Sequence, residues 1–89
     1  MKLLFCCKYQ DVVKLGHMKF RKCECGASSG RYLEDGYYAE VKGEYAVPIC
    51  FLNNKLRDAV LARPECGQRG IEFTAFVAAK DHPTIKLVE

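Results

Sequence analysis

The sequence has few of the side chains, and none of the motifs, on which catalysis usually depends. His17 and His82 are the only histidines, and neither accompanies a recognisable pair of nucleophile and base. Adjacent carboxylates occur at Glu34-Asp35, where a turn is expected and acidic residues are common. The Walker and dinucleotide-binding fingerprints are both missing. We therefore predict that the protein is not an enzyme and that it acts by binding.

Long apolar runs are also missing. The longest, at residues 46–52 and 73–79, are far shorter than the roughly 18 residues that a membrane-spanning helix needs. Near the N-terminus, Lys8, Gln10 and Asp11 interrupt the apolar residues before they reach the length of a signal-peptide core. We therefore expect no membrane as a partner and a cytoplasmic location. Thiols stay reduced there, and cysteines bind metals or pack in cores more often than they form disulfides.

The size and composition of the chain predict one folded domain over residues 1–89. Eighty-nine residues suffice for a single core. Hydrophobic residues make up 49% of the chain and charged residues 28%, a balance typical of chains that fold.

Glycine and short polar clusters divide the chain into segments of strand length, which is typical of antiparallel β structure. The predicted strands cover residues 3–5, 12–15, 19–22, 31–33, 37–42 and 45–51. Turns are expected at Gly16-His17 and at residues 34–36, and the last two strands are expected to form a hairpin around Gly43-Glu44. Residues 71–77 alternate in polarity, which predicts a long central strand, and residues 84–88 predict an edge strand.

One helix is predicted to start at Asn53-Asn54, where an asparagine side chain can cap the first turn. Leu56 and Ala59 follow at helical spacing, and Pro64 ends the segment because it disfavours helical geometry at the preceding residue. So short a helix is marginal alone in water, so its apolar face is expected to pack on the sheet. The fold class is therefore α+β, a small antiparallel β-rich domain with one helix.

The six cysteines provide the most specific signal in the sequence. Four of them form two close pairs, Cys6, Cys7, Cys23 and Cys25. Cys50 is expected in the core and Cys66 in a loop. The two pairs flank the first predicted hairpin, and two turns that bring four ligands to one tetrahedral ion are the layout of a zinc ribbon. We therefore predict a zinc-ribbon-like hairpin region at residues 1–33, a sheet with the helix at residues 34–89, and one structural zinc ion per chain.

The spacing within each pair differs from the usual C-x-x-C unit, and three interpretations stay open. In the first, Cys23 and Cys25 bind zinc with Cys6 or Cys7, and the other thiol or His17 completes the site. In the second, the ribbon has no metal and its cysteines pack as small buried hydrophobes. The third is a redox pair at Cys23 and Cys25. Adjacent cysteines in a strand point to opposite faces, so Cys6 and Cys7 cannot easily serve one ion.

Positive charge is concentrated near the N-terminus. Residues 1–22 carry a net charge of +5, whereas the rest of the chain sums to −2. This asymmetry favours a surface for phosphates or for an acidic protein, and a solvated face of alternating lysines is the alternative. The basic residues predicted to bind are Lys14, Lys19, Arg21 and Lys22.

Two further binding residues are predicted, Arg31 and Tyr37. Arg31 ends a segment of small residues, 26–31, whose backbone N–H groups can approach an anion while the guanidinium pairs with a phosphate. A flexible surface loop explains the same residues. Tyr37 and Tyr38 alternate in a predicted strand, so at least one is expected to be exposed, where it can stack on a base or anchor a protein interface. Packing in the core or at its rim is the alternative.

Four segments carry a family resemblance: residues 3–6 (LLFC), 11–15 (DVVKL), 21–26 (RKCECG) followed by 30–32 (GRY), and 73–77 (FTAFV). Together they resemble a group of small, uncharacterised zinc-ribbon-like proteins encoded by bacteriophages and prophages, over most of the chain. In that group the second cysteine of the opening knuckle stands three positions after the first. Here that position is Tyr9, so the resemblance does not supply the fourth metal ligand.

The resemblance implies a setting: an accessory phage gene acting in the cytoplasm of a bacterial host. From it we predict a phage protein that binds and inhibits a host factor in antiviral defence, with a host protein as its partner. Two alternatives stay open. One is a zinc-ribbon module that binds nucleic acid through its basic hairpin, and the other is a homo-oligomeric sponge that sequesters a small nucleotide signal.

Overall fold

Two β-sheets and one helix make up the computed structural model, which describes residues 1–88. The nine strands of this part of the chain are β1 (Lys2–Cys6), β2 (Asp11–Lys14), β3 (Gly16–His17), β4 (Arg21–Lys22), β5 (Ser29–Tyr32), β6 (Ala39–Lys42), β7 (Ala46–Phe51), β8 (Ala75–Val77) and β9 (Ile85–Val88). The helix α1 (Asn53–Leu61) lies between β7 and β8 in the chain. The predicted class, a small sheet-rich α+β fold with one helix, is confirmed.

The first sheet has the strand order β2-β1-β7-β8, and every pair in it is antiparallel. The second sheet has the order β3-β5-β6-β9, with β4 also paired to β5. It is mixed, because β3 and β9 run parallel to their neighbours whereas β4 and β6 run antiparallel to β5. The prediction of antiparallel pairing is therefore correct for the first sheet and wrong for the parallel pairs of the second, because alternation within a strand does not determine the direction of its neighbour. The predicted edge strand near the C-terminus is confirmed as β9. Strands of residues 1–33 pair with strands of residues 34–88, so the two regions are interleaved.

The core lies between the two sheets. It is formed by Leu4, Leu15, Ala39, Val41, Cys50, Ala78 and Ile85. Leu4 and Val41 are fully buried, one from each sheet. Strict alternation explains this, since every second residue of β1 is buried and the same holds for β6. Cys50 is buried in the core, as predicted.

The first hairpin lies elsewhere than the sequence predicts. Residues 12–15 and 19–22 were expected to pair, but β2 pairs with β1 and β4 pairs with β5. The chain closes on itself at Gly16, where an added Cβ would lie 2.0 Å from the Lys19 carbonyl oxygen, and Met18 has a φ of +66°. The predicted turn at Gly16-His17 is therefore wrong, because these residues form β3 and the reversal follows them.

The hairpin predicted around Gly43-Glu44 is also wrong. β6 pairs with β5 and β9, and β7 pairs with β1 and β8, so neither has a free edge for the other. The short connection instead carries the chain from the second sheet to the first.

The strand predicted at residues 71–77 is shorter and more exposed than expected. Only Ala75–Val77 pair, and they pair with β7 alone, so β8 is an edge strand rather than a central one. All three residues of β8 are exposed. Alternation predicts a strand but not how many neighbours it will have.

The helix begins one position earlier than the capping prediction requires. Leu52 is the N-cap residue and no side chain caps the first turn, so the prediction of an asparagine cap is wrong. Ala59 is the buried residue of α1, whereas Val60 is 48% exposed, so the helix packs by a narrow face. No helix in residues 1–88 is long and apolar enough to cross a membrane.

A substitution at Gly43 tests the connection from β6 to β7, which joins the two sheets. The φ of Gly43 is +114°, and an added Cβ would lie 2.4 Å from the Ala27 carbonyl oxygen. Gly36 is a matched control, because its φ is +70° and the space around it is open. We expect Gly36→Ala to lower the free energy of unfolding by about 1–2 kcal/mol through backbone strain alone. Gly43→Ala should lower the free energy of unfolding by clearly more, because the new Cβ would also clash with the Ala27 carbonyl oxygen. Equal losses of free energy for the two variants in urea titrations would contradict this account.

Candidate metal centre

The first turn of the site connects β1 to β2. Cys6 is the last residue of β1 and is fully buried. The Gln10 N–H donates to the Cys6 carbonyl oxygen at 2.8 Å, and Gln10 has a φ of +58°. This hydrogen bond closes the turn that begins at Cys6.

The second turn connects β4 to β5 and carries the other two thiols. The Cys23 N–H donates to the Ser28 carbonyl oxygen at 2.9 Å, and the Gly26 N–H donates to the Cys23 carbonyl oxygen at 3.0 Å. Gly26 has a φ of +77°, which a residue without a Cβ adopts at little cost. The two turns are joined by a hydrogen bond of 2.9 Å from the Glu24 N–H to Asp11 Oδ2.

Three sulfur atoms converge between the turns. The Sγ atoms of Cys6, Cys23 and Cys25 all lie within 4.8 Å of one another. Cys25 Sγ lies 3.7 Å from Cys6 Sγ and 3.4 Å from Cys23 Sγ. With zinc–sulfur bonds of about 2.3 Å, two sulfurs at neighbouring corners of a tetrahedron are separated by about 3.8 Å. The three thiols therefore lie close enough, and at suitable separations, to hold one metal ion.

The surroundings favour ionisation of one of these thiols. The neighbouring Ser28 hydroxyl, followed by the Lys8 backbone N–H and the other two thiols, lowers the pKa of Cys6 from 9.0 to about 7 despite burial. The Ser28 N–H also lies 3.3 Å from Cys23 Sγ as a donor. The Ala27 backbone acts to lower the pKa of Cys25, but desolvation and the two nearby thiols raise it above its usual value. One thiolate therefore forms readily, and a cation between the sulfurs would favour the others.

The other candidate ligands lie outside this cluster. Cys7 is exposed, and its N–H donates to the Tyr45 carbonyl oxygen at 2.9 Å. His17 is exposed on β3. Cys66 is an exposed thiol beyond the helix. The structure thus brings together Cys6, Cys23 and Cys25 and leaves Cys7 apart, as alternation along β1 implies.

The predicted basic residues are divided between the sheets. Lys14 ends β2 in the first sheet, whereas Arg21 and Lys22 form β4 in the second. Lys19 lies in the loop before β4 and is exposed. The register Lys22↔Ser29↔Lys42 places Lys22 and Lys42 in one row of the second sheet.

Arg31 is already engaged by its neighbours. Its guanidinium forms an ion pair with Glu40 and donates to the Met18 carbonyl oxygen at 2.9 Å. It also lies 4.5 Å from the centre of the Phe20 ring, and Lys42 Nζ lies 4.4 Å from the same centre. These contacts hold Arg31 against the sheet.

Tyr37 has an exposed ring that contacts the N-terminal strand. Lys2 Nζ donates to the Tyr37 carbonyl oxygen and lies 4.3 Å from the ring centre. The ring meets that of Tyr38 edge to face, with 5.4 Å between the centres. Tyr37 therefore helps to hold the loop before β6 against β1.

Two features were missed by reasoning from the sequence. One is Ser28 as a neighbour of the thiols, since no known cysteine spacing points to a serine five residues after Cys23. The other is an apolar groove of about 560 Å³ between the edges of the two sheets, lined by β8 residues such as Val77 and β9 residues such as Leu87. The second follows from strand pairings that the sequence did not predict.

The lowered pKa of Cys6 predicts how the stability of the metal-free protein depends on pH. Between pH 7 and pH 9 the unfolded chain holds the Cys6 proton and the folded protein releases it, so the free energy of unfolding should rise with pH. This contribution is complete above pH 9 and is lost as the pH falls through 7. Chemical denaturation in the presence of a chelator measures it. Cys6→Ser should remove the part of the rise that Cys6 causes and leave the part from the N-terminal amine, whose pKa burial also lowers. An equal rise in that variant would contradict the assignment.

Compared with family models, curated proteins and solved structures, the chain matches none. The three-thiol cluster is therefore interpreted from the geometry of this chain alone.

Proposed function

We propose that the protein is a non-catalytic binding protein in which one zinc ion joins the two turns and an apolar sheet edge binds a partner protein. The observation that carries the partner proposal is the uncharged, exposed strand β8. The zinc proposal is supported by the convergence of three thiols from separate turns.

Zinc suits this donor set. Structural zinc sites are built from cysteine thiolates in tetrahedral geometry, and the sulfur separations match such a site. The ion would link the β1–β2 turn to the β4–β5 turn, which belong to different sheets. In so small a domain, such a link adds stability that a modest core does not supply.

The edge of β8 differs from the other sheet edges in charge. The edge strands β2, β4 and β9 each carry a lysine, an arginine or an aspartate, and charges of this kind prevent edge pairing with other chains. The remaining edge strand, β3, has only two residues, and very short edge strands are also poor templates for pairing. β8 carries only Ala75, Phe76 and Val77, with Val77 67% exposed. An unpaired, uncharged edge is suited to accept an extended segment of another protein as an added strand.

Apolar side chains continue the surface around this edge. Ile71, Phe73 and Phe76 are 51%, 41% and 50% exposed. The groove between β8 and β9 adjoins it and is lined mostly by apolar residues, and its charged lining residues are Glu44 and Lys80. Extended apolar surfaces with a polar rim are typical of protein interfaces. The occupant that fits best is an extended, apolar segment of a partner protein.

The biological setting of the proposal comes from the resemblance to phage-encoded proteins. In that setting the partner is a bacterial host factor of antiviral defence, and occupation of its surface inhibits it. The proposal assigns no reaction to the protein: His17 lies exposed on β3, and His82 Nδ1 is occupied by a hydrogen bond from the Thr84 N–H.

Zinc binding is tested by native mass spectrometry and elemental analysis of protein purified under reducing conditions. We expect one zinc ion per chain. At a free zinc concentration about 1,000 times the Kd, the ion should add about 4 kcal/mol to the free energy of unfolding. Cys6→Ser, Cys23→Ser and Cys25→Ser should each lose the ion, whereas Cys7→Ser should retain it. Loss of zinc in Cys7→Ser, or a metal-free wild type, would count against the proposal.

The partner surface is tested with one substitution at the two edges of the same sheet. Val77→Lys adds a charge to β8, and Val12→Lys adds the same charge to β2, where the valine is 51% exposed. We expect a host protein recovered from bacterial lysate in stoichiometric amount with the wild type to be lost with Val77→Lys and kept with Val12→Lys. Purified partner should show the same difference by calorimetry.

Two outcomes would contradict the partner proposal. Equal binding by both variants would exclude the β8 edge as the interface. Recovery of nucleic acid instead of protein, with an affinity that falls steeply with salt, would favour the basic row at Lys22 and Lys42.

A further inference from the structure

The Ser28 hydroxyl is buried beside the Cys6 thiol, but no described residue lies at a distance and angle that give it a well-formed hydrogen bond. Ser28 is 1% exposed, and its Oγ atom is one of two buried side-chain oxygens without a partner in residues 1–88. A buried hydroxyl without a partner is unfavourable, because it has lost its hydrogen bonds to water. A group that completes its bonding is therefore expected at this place.

Ser28 contacts two of the three thiol residues. Its backbone N–H lies 3.3 Å from Cys23 Sγ, and its hydroxyl neighbours Cys6. Cys6 and Cys23 are buried, whereas Cys25 is exposed. Ser28 therefore adjoins the two buried thiol residues, and its own burial keeps bulk water away from the hydroxyl.

The other side chains that commonly bind zinc do not reach the cluster. No carboxylate or imidazole of the described residues lies within 4.8 Å of all three sulfurs, and neither does a fourth thiol. Asp11 Oδ1, the second buried oxygen without a partner, is among the donors that this distance excludes. A hydroxyl oxygen has two lone pairs, and one of them can be donated to a metal ion.

We propose that the Ser28 hydroxyl is the fourth ligand of the metal centre, which completes a site of three thiolates and one oxygen with Cys6, Cys23 and Cys25. The inference rests on the proposed zinc site and goes beyond it by naming the fourth corner. That corner is then closed to external ligands, because a protein oxygen fills it. The site is then structural, although it contains only three cysteines.

The test uses the full chain loaded with Co²⁺, whose absorption spectrum reports its ligands. We expect Ser28→Cys to strengthen the sulfur-to-cobalt charge-transfer band in proportion to a fourth thiolate. Ser28→Ala should leave the fourth coordination position free for an added ligand. Imidazole should then change the cobalt spectrum, and the change should reach a plateau as the imidazole concentration rises. The zinc affinity of Ser28→Ala should fall by about 10-fold or more, since even groups outside the coordination shell change affinity by that much.

Ser29→Ala is the matched control. Ser29 is the neighbouring buried serine and the first residue of β5, where its backbone pairs with Lys22 and Lys42. The wild type and Ser29→Ala should show neither the stronger band nor a response to imidazole.

Three results would overturn the inference. The first is a Ser28→Cys variant that binds cobalt with an unchanged charge-transfer band. The second is a Ser28→Ala variant whose cobalt spectrum does not change when imidazole is added. The third is a wild-type cobalt spectrum that does change with imidazole. If the wild type binds neither cobalt nor zinc, the zinc proposal itself fails, so the two failures are distinguishable. Circular dichroism of each variant establishes that it is folded, and Ser28→Ala decides the question if Ser28→Cys does not fold.

Discussion

Alternation along β1 is the constraint on which both the core and the candidate metal centre depend. Because successive side chains of a strand point to opposite faces, Leu4 and Cys6 are buried on one side of β1, each fully inaccessible to solvent. Leu4 joins the core between the sheets, and Cys6 reaches the thiols of the second turn. A shift of one residue in the register of β1 would exchange Cys6 for Cys7 and expose Leu4. The pairing of β1 with both β2 and β7 fixes this register.

Two turns from different sheets then meet at the thiols. Without a metal, they are held together by the hydrogen bond from the Glu24 N–H to Asp11 Oδ2 and by contacts between the thiols. Several features favour a cation at this place: the lowered pKa of Cys6, the N–H beside Cys23 Sγ, and the buried hydroxyl of Ser28 without a partner. The zinc proposal accounts for all three features with one ion. The partner surface is separate, since β8 lies two strands away from β1 at the far edge of the first sheet.

Local sequence patterns predicted much of the fold, but they did not predict which strands pair with each other. The opposite faces of Cys6 and Cys7, the position of Cys50 in the core and the edge strand β9 all follow from short-range alternation. The pairings of β4 and β6 depend on which edges remain free after the rest of the chain has folded, and periodicity carries no such information. The same limit made residues 71–77 resemble a central strand, although only Ala75–Val77 pair. Ser28 was missed as a ligand candidate because its place beside Cys6 depends on two turns that are distant in sequence.

The central claim, that thiolates from two turns hold one zinc ion, is tested most directly by X-ray absorption at the zinc edge of the reduced protein. The account predicts a sulfur shell at about 2.3 Å that fits three atoms, with one lighter ligand at about 2.0–2.2 Å. A shell of four sulfurs would contradict the assignment of the fourth corner. A shell dominated by nitrogen and oxygen would show that zinc binds elsewhere and that the three thiols are not its site.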